Sequence, residues 1–433
     1  MRRPPRATHK NAPTTIAIVT LTAGIQMWCV AQAQNTLPGI GPSFGSTFTS
    51  RLADSIPVSG FTGSPLLGSE FVLGPDQELG QGFKGGFLYG AGIATVYDSN
   101  FSLSENDPDP ELITSLSGII SYFSDPEGGA PVSITASYNP VAQFYLENAE
   151  NNGVDHSGNA KMTFTGGRTV LSAYANLNQS SGTDPIIGEF VSETLASAGV
   201  EGSYQIGSRT SVSGSFSAST SDYGSNSLEG SNFYSTYIAG SWAATEYFSF
   251  GPAIQFNRST SDNSGTRDAW QYLMQGEYQV GERIRVAGSI GLDYATDSRD
   301  EGSASTGLTG GFSADYSINE RLSWSGSVLY VTVPSPDEVD YVINNLTIST
   351  SLSRKLLRAT VDVGLALNVA SYEAVGPTAT PLDEDNNVNV FVTYSRNLFQ
   401  DRLSLVSTGF YSVNDGQSTW NQFQLSLGLN AQF

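Results

Sequence analysis

The chain has 433 residues, of which 39% are hydrophobic, and 20 Lys+Arg stand against 41 Asp+Glu for a formal net charge of −21. So acidic a chain is unsuited to nucleic acid, whose phosphates need basic partners. One cysteine and two histidines leave little for disulfides, thiolate metal sites or imidazole catalysis.

Residues 1–33 read as a signal peptide. Arg2, Arg3, Arg6 and Lys10 form a basic region, Thr14 to Val30 an apolar run, and Ala31-Gln32-Ala33 a small-x-small cleavage site. The run is short for a spanning helix and no stop-transfer flank follows it. Cys29 would leave with the signal, and Trp28 before it departs from a lipoprotein signal, which has small residues there. The expected mature chain has no thiol and keeps 16 bases against 41 acids, a formal charge of −25. Residues 34–85, rich in Gly, Pro and Ser, read as an irregular periplasmic segment, with a small plug as the alternative.

From Gly86 to Phe433 the chain alternates apolar and polar side chains in segments of roughly 10–16 residues, the period of strands with two unlike faces. Phe87, Tyr89, Ala91 and Ile93 form one apolar stripe, and Val132, Ile134, Ala136 and Tyr138 another. Trp270, Tyr272, Met274 and Tyr278 alternate with Gln271, Gln275 and Gln279, and Val361, Val363, Leu365, Leu367 and Val369 with Thr360, Asp362, Gly364, Ala366 and Asn368. The final strand sets Phe423, Leu425, Leu427, Leu429, Ala431 and Phe433 against Gln422, Gln424, Ser426, Gly428, Asn430 and Gln432. A long strand ending in a terminal aromatic resembles the closing strand of an outer-membrane barrel, one face toward lipid and the other toward a wet lumen.

The expected fold is all-β, a transmembrane antiparallel up-and-down β-barrel of about 18 strands, within a range of about 16–18. Short periplasmic turns (Asp125–Gly129, Gly166–Arg168, Gly207–Arg209, Ala244–Glu246, Gly281–Glu282, Asn319–Glu320, Ser353–Lys355, Arg396–Asp401) alternate with longer external loops such as Glu147–Gly158, Gln179–Glu193, Asp297–Gly302 and Ser371–Asn386. An even count returns the C-terminus to the periplasmic side. Tyr204-Gln-Ile-Gly-Ser-Arg, Tyr278-Gln-Val-Gly-Glu-Arg and Tyr316-Ser-Ile-Asn-Glu-Arg recur, each an aromatic followed by a tight polar turn, as an interfacial girdle requires. A soluble repeat fold such as a propeller is the rival, and the signal peptide, strand length and terminal Phe weigh against it.

The first hairpin reads Gly90-Ala-Gly-Ile-Ala-Thr-Val-Tyr97-Asp98-Ser99-Asn100-Phe101, then an acidic loop, then Leu112-Ile-Thr-Ser-Leu-Ser-Gly-Ile-Ile-Ser-Tyr-Phe. It resembles the opening of the "beta-barrel porin 2" family of Gram-negative outer-membrane proteins, with Tyr97-Asp-Ser-Asn100 the closest matching element. The resemblance implies an outer-membrane barrel acting as a porin. It supplies no catalytic residue and names no substrate.

Opposite the lipid stripe the wall is rich in hydroxyls and amides: Ser211, Ser213, Ser215, Ser217 and Ser219; Asn345, Thr347, Ser349 and Ser351. Such a wall suits water and small neutral, cationic or sugar-like solutes, unless the residues are merely small and polar. Charged candidates for the pore lining are Glu201, Glu277, Arg285, Asp293, Asp315, Arg358 and Asp362, with Arg283 and Arg321 near turns; opposite charges across a pore wall filter solutes. Acids gather in the long loops (Glu105, Asp107, Asp109, Asp337, Glu338, Asp340, Asp383, Glu384, Asp385) and bases at or beside the short turns (Arg168, Arg209, Arg283, Arg285, Arg321, Arg354, Lys355, Arg358, Arg396, Arg402). An acidic mouth would attract cations and bridge lipopolysaccharide phosphates through divalent ions, or is simply solvated loop. The run from Glu105 to Glu111 has Pro108 and Pro110 where a calcium loop needs a Gly turn, so no metal or cofactor is expected. Asp184 to Val191 is apolar for an external loop; Pro185, Ile186, Ile187 and Phe190 are candidates for a constriction, with strand extension or a subunit contact as alternatives. His156, alone in a Gly/Asn-rich loop, has no evident catalytic partner, so no enzyme is expected.

The function expected is passive diffusion of small hydrophilic solutes across the outer membrane. The alternative is a plugged or non-conducting barrel serving surface polysaccharide export or envelope structure. Expected partners are outer-membrane lipid and lipopolysaccharide and the barrel-assembly machinery through Phe433, with homo-oligomerisation left open.

Overall fold

The computed structural model describes residues 86–124, 131–183, 189–224, 230–261, 265–298, 304–334, 341–374, 384–399, 402–416 and 418–433. The expected signal (1–33) and irregular segment (34–85) therefore lie outside the described residues. Eighteen strands follow in chain order. They are β1 (Gly86–Asp98), β2 (Glu111–Phe123), β3 (Val132–Tyr145), β4 (Gly153–Thr165), β5 (Thr169–Thr183), β6 (Phe190–Gln205), β7 (Thr210–Tyr223), β8 (Ser231–Ala243) and β9 (Phe248–Ser261). The second half holds β10 (Gly265–Val280), β11 (Ile284–Asp297), β12 (Ala304–Asn319), β13 (Leu322–Pro334), β14 (Tyr341–Lys355), β15 (Ala359–Ala374), β16 (Asp385–Asn397), β17 (Leu403–Asp415) and β18 (Trp420–Gln432).

Each strand pairs antiparallel with the next, and β1 pairs with β18 from Gly90↔Gln432 to Asp98↔Gln424, which closes the sheet into a barrel. Closure leaves no strand edge unpaired, the condition for β-structure in lipid. Phe433 N donates to Tyr89 O at 2.8 Å at the short-turn end of this seam.

Alternation turns the pleat into two surfaces. The large apolar side chains on the stripes predicted above (Phe87, Tyr89, Ile93; Trp270, Tyr272, Met274; Leu425, Leu427, Leu429) are all exposed on the outside. Their neighbours one residue along, such as Gln275, Asp362 and Gln424, are buried inside. Exposed aromatics mark both ends of the outer surface: Phe164, Tyr204, Trp242, Tyr278, Tyr316 and Trp324 near the short turns, Tyr97, Tyr234, Trp270, Tyr294, Tyr330 and Tyr411 near the other end. On β10, Trp270 and Tyr278 are eight residues apart, roughly 27 Å along the strand and about 20 Å along the axis of a barrel with ~40° tilt. That approaches the apolar band of about 25 Å that bacterial outer-membrane barrels present to lipid. Only a bilayer makes such a belt stable. The chain is an outer-membrane β-barrel.

The connections correct part of the expected pattern. β3 ends at Tyr145 and β4 begins at Gly153, so the loop is 146–152, with a short 3₁₀ turn at Ala149–Asn151, and not Glu147–Gly158. β5 continues to Thr183 and β6 starts at Phe190, and β15 and β16 likewise take up Ser371–Ala374 and Asp385–Asn386. Only residues 262–264 separate β9 from β10, whereas 124–131 separate β2 from β3 at the other end, so short and long connections do not strictly alternate. The physical reason is that hairpin ladders keep their hydrogen bonds past the bilayer. Strands of 13–16 residues exceed the 9–11 or so that a tilted span needs.

Two inward glycines make room for rings. A Cβ at Gly364 would collide with the ring of Phe391, its register partner on β16, and one at Gly199 with Tyr174 on β5. We expect Gly364→Val to displace Phe391 and destabilise the barrel by about 1–3 kcal/mol, read as a lowered urea midpoint; an unchanged midpoint would contradict that packing.

Candidate functional site: the inner wall and its outer mouth

The inner wall is a hydrogen-bonding surface built across neighbouring strands. Ser325 and Ser327 on β13 meet Ser351 and Ser349 on β14, each pair 2.7 Å apart, and Thr393 on β16 meets Thr408 on β17 at 3.0 Å. The Tyr237 hydroxyl on β8 donates to Gln275 Oε1 on β10 at 2.7 Å. The predicted serine, asparagine and glutamine stripes thus face inward, but so do apolar patches that the stripes did not announce. Leu329 packs with Ala287 and Val331, and Tyr237 with Ala239, Ala253 and Leu273.

The charged candidates fall into two groups along the axis. Near the short-turn end, Arg285 Nε donates to Glu277 Oε1 at 2.6 Å, and Asp315 on β12 lies opposite Arg285 in register. Glu201 on β6 accepts from Lys161 Nζ on β4 at 2.9 Å, two strands away. Asp362 is buried low on β15, opposite Ser353 and Thr393. Asp293 is buried higher on β11, opposite Gln271, and the Arg267 guanidinium acts on it from β10. Arg358 is different. It sits in the exposed turn before β15, a rim position, and not on the pore lining where it was expected, because the strand starts only at Ala359.

Lys161, Arg267, Asp98, Asp155, Glu193 and Lys355 are further inward charges that sequence reading missed; each lies on the polar parity of its strand, which is the signal that could have found them. Among the described residues the wall carries more acids than bases. Of these residues, all the exposed bases but Arg258 instead ring the short-turn end: Arg168, Arg209, Arg283, Arg321, Arg354, Arg358, Arg396 and Arg402.

His156 is not in a loop. It lies on β4 facing outward, where Nδ1 is 2.8 Å from the Tyr138 hydroxyl and the two rings stack at 6.1 Å. Outside the barrel, too, Arg258 grips Asp268 through two bonds of 2.7 and 2.8 Å, one step beyond the Phe256–Trp270 ring pair. This exposed pair sits at headgroup level.

The Tyr97–Asn100 element lies at the outer end of the β1–β18 seam. Asp98 is fully buried, and its carboxyl accepts from Asn100 N (3.0 Å), Gln422 Nε2 (2.8 Å) and Gln424 Nε2 (2.8 Å). Ser99 exchanges bonds with Phe423: its amide donates to Phe423 O at 2.9 Å and its Oγ accepts from Phe423 N at 2.8 Å. Glu111, expected to be one more acid of a solvated mouth, is instead buried on β2. Its carboxylate accepts from the backbone N–H groups of Leu146, Glu147 and Asn148 and from Asn148 Nδ2, between 2.7 and 3.0 Å. A carboxylate so surrounded anchors the neighbouring loop. Glu105, Asp107 and Asp109 are exposed as expected; Asp337, Glu338, Asp340 and Asp383 lie outside the described residues.

Of the apolar loop candidates, Pro185, Ile186 and Ile187 lie outside the described residues, while Phe190 opens β6. Its ring packs against Tyr145 and Phe101 at the outer end of the lumen, as part of a cluster with Val96 and Ile113.

No protein-family model matches the chain, and no curated protein matches its sequence. Similar solved structures include OccK1 (OpdK) of Pseudomonas aeruginosa, with a TM-score of 0.45, 9% identity, and coverage of 80% of this chain and 99% of that one. OprD of Pseudomonas aeruginosa gives 0.41, 10%, 80% and 95%, and the siderophore receptor PirA of the same organism 0.41, 8%, 80% and 80%. Scores at this level carry no argument, and the barrel rests on its own strand pairing.

Proposed function

We propose that the barrel is a channel for passive diffusion of small hydrophilic solutes, neutral and cationic ones in preference to anions. The observation that carries this reading is the inner wall: hydroxyls, amides and an excess of carboxylates around a closed ring of 18 strands. Barrels of about 16–18 strands are too wide for side chains to fill, and such a wall replaces the hydrogen bonds a solute gives up on leaving water. On this reading the chain would be a relative of the beta-barrel porin 2 family, which the hairpin from Gly90 to Phe123 resembles. On it, residues 1–33 are a cleaved signal and 34–85 a periplasmic segment. Lipopolysaccharide is the outer-leaflet partner, and Phe433 the assembly signal.

A second reading, a closed barrel serving polysaccharide export or envelope structure, is favoured by the apolar cluster inside the outer mouth. Liposome swelling separates the two. Vesicles holding the folded protein should swell in isosmotic solutions of small sugars, and vesicles that do not swell would move the weight to the closed barrel.

The ion pairs predict a charge effect. Glu201→Gln with Glu277→Gln removes two inward negative charges beside Lys161 and Arg285. The reversal potential in a salt gradient should then shift toward anion preference; an unmoved potential would remove these pairs from the permeation path.

A further inference from the structure

The β1–β2 connection, residues 99–110, turns back into the barrel mouth before it reaches solvent. Phe101 and Leu103 are 5% and 7% exposed, whereas residues 105–110 are exposed. The Phe101 ring lies 5.4 Å from that of Tyr145 and 5.9 Å from that of Phe190, and Tyr145 meets Phe190 edge-on at 5.6 Å. Val96 and Ile113, wholly buried, complete the cluster. Val96, Ile113 and Tyr145 stand on adjoining strands, but Phe190 stands on β6, so the cluster reaches past β4 and β5 along the inner face. An apolar mass there takes cross-section away from a hydrated path.

One side chain holds the loop in this position. Asn100 is buried, and its Nδ2 donates both to Ser104 O at 2.9 Å and to Asn421 O on β18 at 2.8 Å. Its Oδ1 accepts from Ser104 N at 2.9 Å. Between them Leu103 has φ +52°, left-handed for a residue with a branched side chain, a strained conformation that persists only where the surroundings impose it. Asn100 therefore ties a strained loop to the last strand while Phe101 and Leu103 bury themselves below it. Without the amide, Ser104 and Asn421 turn to water, and the bonds left within the loop, Leu103 N to Asn100 O and Phe101 N to Asp109 O, no longer tie it to β18.

We propose that this cluster is the outer constriction of the channel and that Asn100 is the residue that positions it. The proposal rests on the channel reading given above. It assigns a role to the Tyr97–Asn100 element, which both clamps the seam and sets the width of the mouth.

The test compares wild type, Asn100→Ala and Ser104→Pro in planar bilayers, and measures labelling of Leu103→Cys, with Cys29→Ser, by a bulky membrane-impermeant maleimide. Ser104→Pro removes the loop's N–H donor and leaves the Asn100–Asn421 bond in place, so it opens the loop without touching the seam. Both variants should raise single-channel conductance at least about twofold and labelling at least about tenfold. A short bis-methanethiosulfonate bridge between Phe101→Cys and Phe190→Cys, which holds the loop against β6, should lower the conductance of the Asn100→Ala channel. A conducting wild type whose current and labelling are unchanged by both variants overturns the proposal alone. A folded wild type that carries no current, with both variants equally silent, overturns the channel reading and the proposal together.

Discussion

Replacing Ile290 with arginine should cost the folded barrel about 2–4 kcal/mol, while the same change at Ser289, one residue away, should cost much less. Ile290 lies midway along β11 with 67% of its surface exposed, between Met274 and Gly310 in register. On a soluble protein an exposed position accepts arginine at almost no cost. Here exposure means contact with acyl chains, and a guanidinium held at the bilayer midplane gives up its hydration. Ser289 faces the lumen, where the added charge keeps water and meets a wall with an excess of acids. Urea unfolding in lipid vesicles, followed by tryptophan fluorescence, measures both. Equal losses at the two positions would contradict the assignment of outer and inner faces.

The second large effect is expected at the seam. Asp98→Ala removes the acceptor for two glutamine amides and one backbone N–H, all in a buried site. Gln422 keeps a longer bond to Asn100 O at 3.3 Å, so part of the loss is recovered. We expect a net destabilisation of about 2–4 kcal/mol, since buried donors stripped of a partner cost about 1–3 kcal/mol each. Asp98→Asn keeps one acceptor oxygen and should lose less. The damage should be local as well as global. Amide hydrogen exchange should rise first along 90–98 and 424–432, the paired segments of β1 and β18, before the rest of the barrel. Uniform exchange around the barrel, with an unchanged unfolding midpoint, would show that Asp98 is not the clamp.

The bilayer is why so much of the fold could be read from the chain. Lipid and water impose opposite demands on successive residues, so the order Trp270, Gln271, Tyr272 already states which side of the barrel each occupies, and counting such stretches gives the strands. The same rule placed Glu201, Glu277, Asp293 and Asp362 on the inner wall. It did not supply their partners. Lys161 reaches Glu201 from two strands away and forty positions back in the chain, a contact fixed by the stagger of the ladders and not by any local pattern. Arg358 failed for a simpler reason: nothing in Leu356-Leu357-Arg358-Ala359 shows where the turn stops and the ladder starts. Glu111 was misread because it closes a stretch with the composition of a solvated loop, and nothing there marked Phe101 as buried. Their burial comes from a single amide, that of Asn100, and from the N–H groups of residues 146–148, none of which carries a periodic signal.

The account turns on a continuous hydrated path through the barrel, and single-channel recording of the folded protein in a planar bilayer tests it most directly. With a potassium chloride gradient, we predict discrete, stable current steps and a reversal potential on the cation-selective side. A protein shown to be folded that gives no steps, or steps selective for chloride, would contradict it.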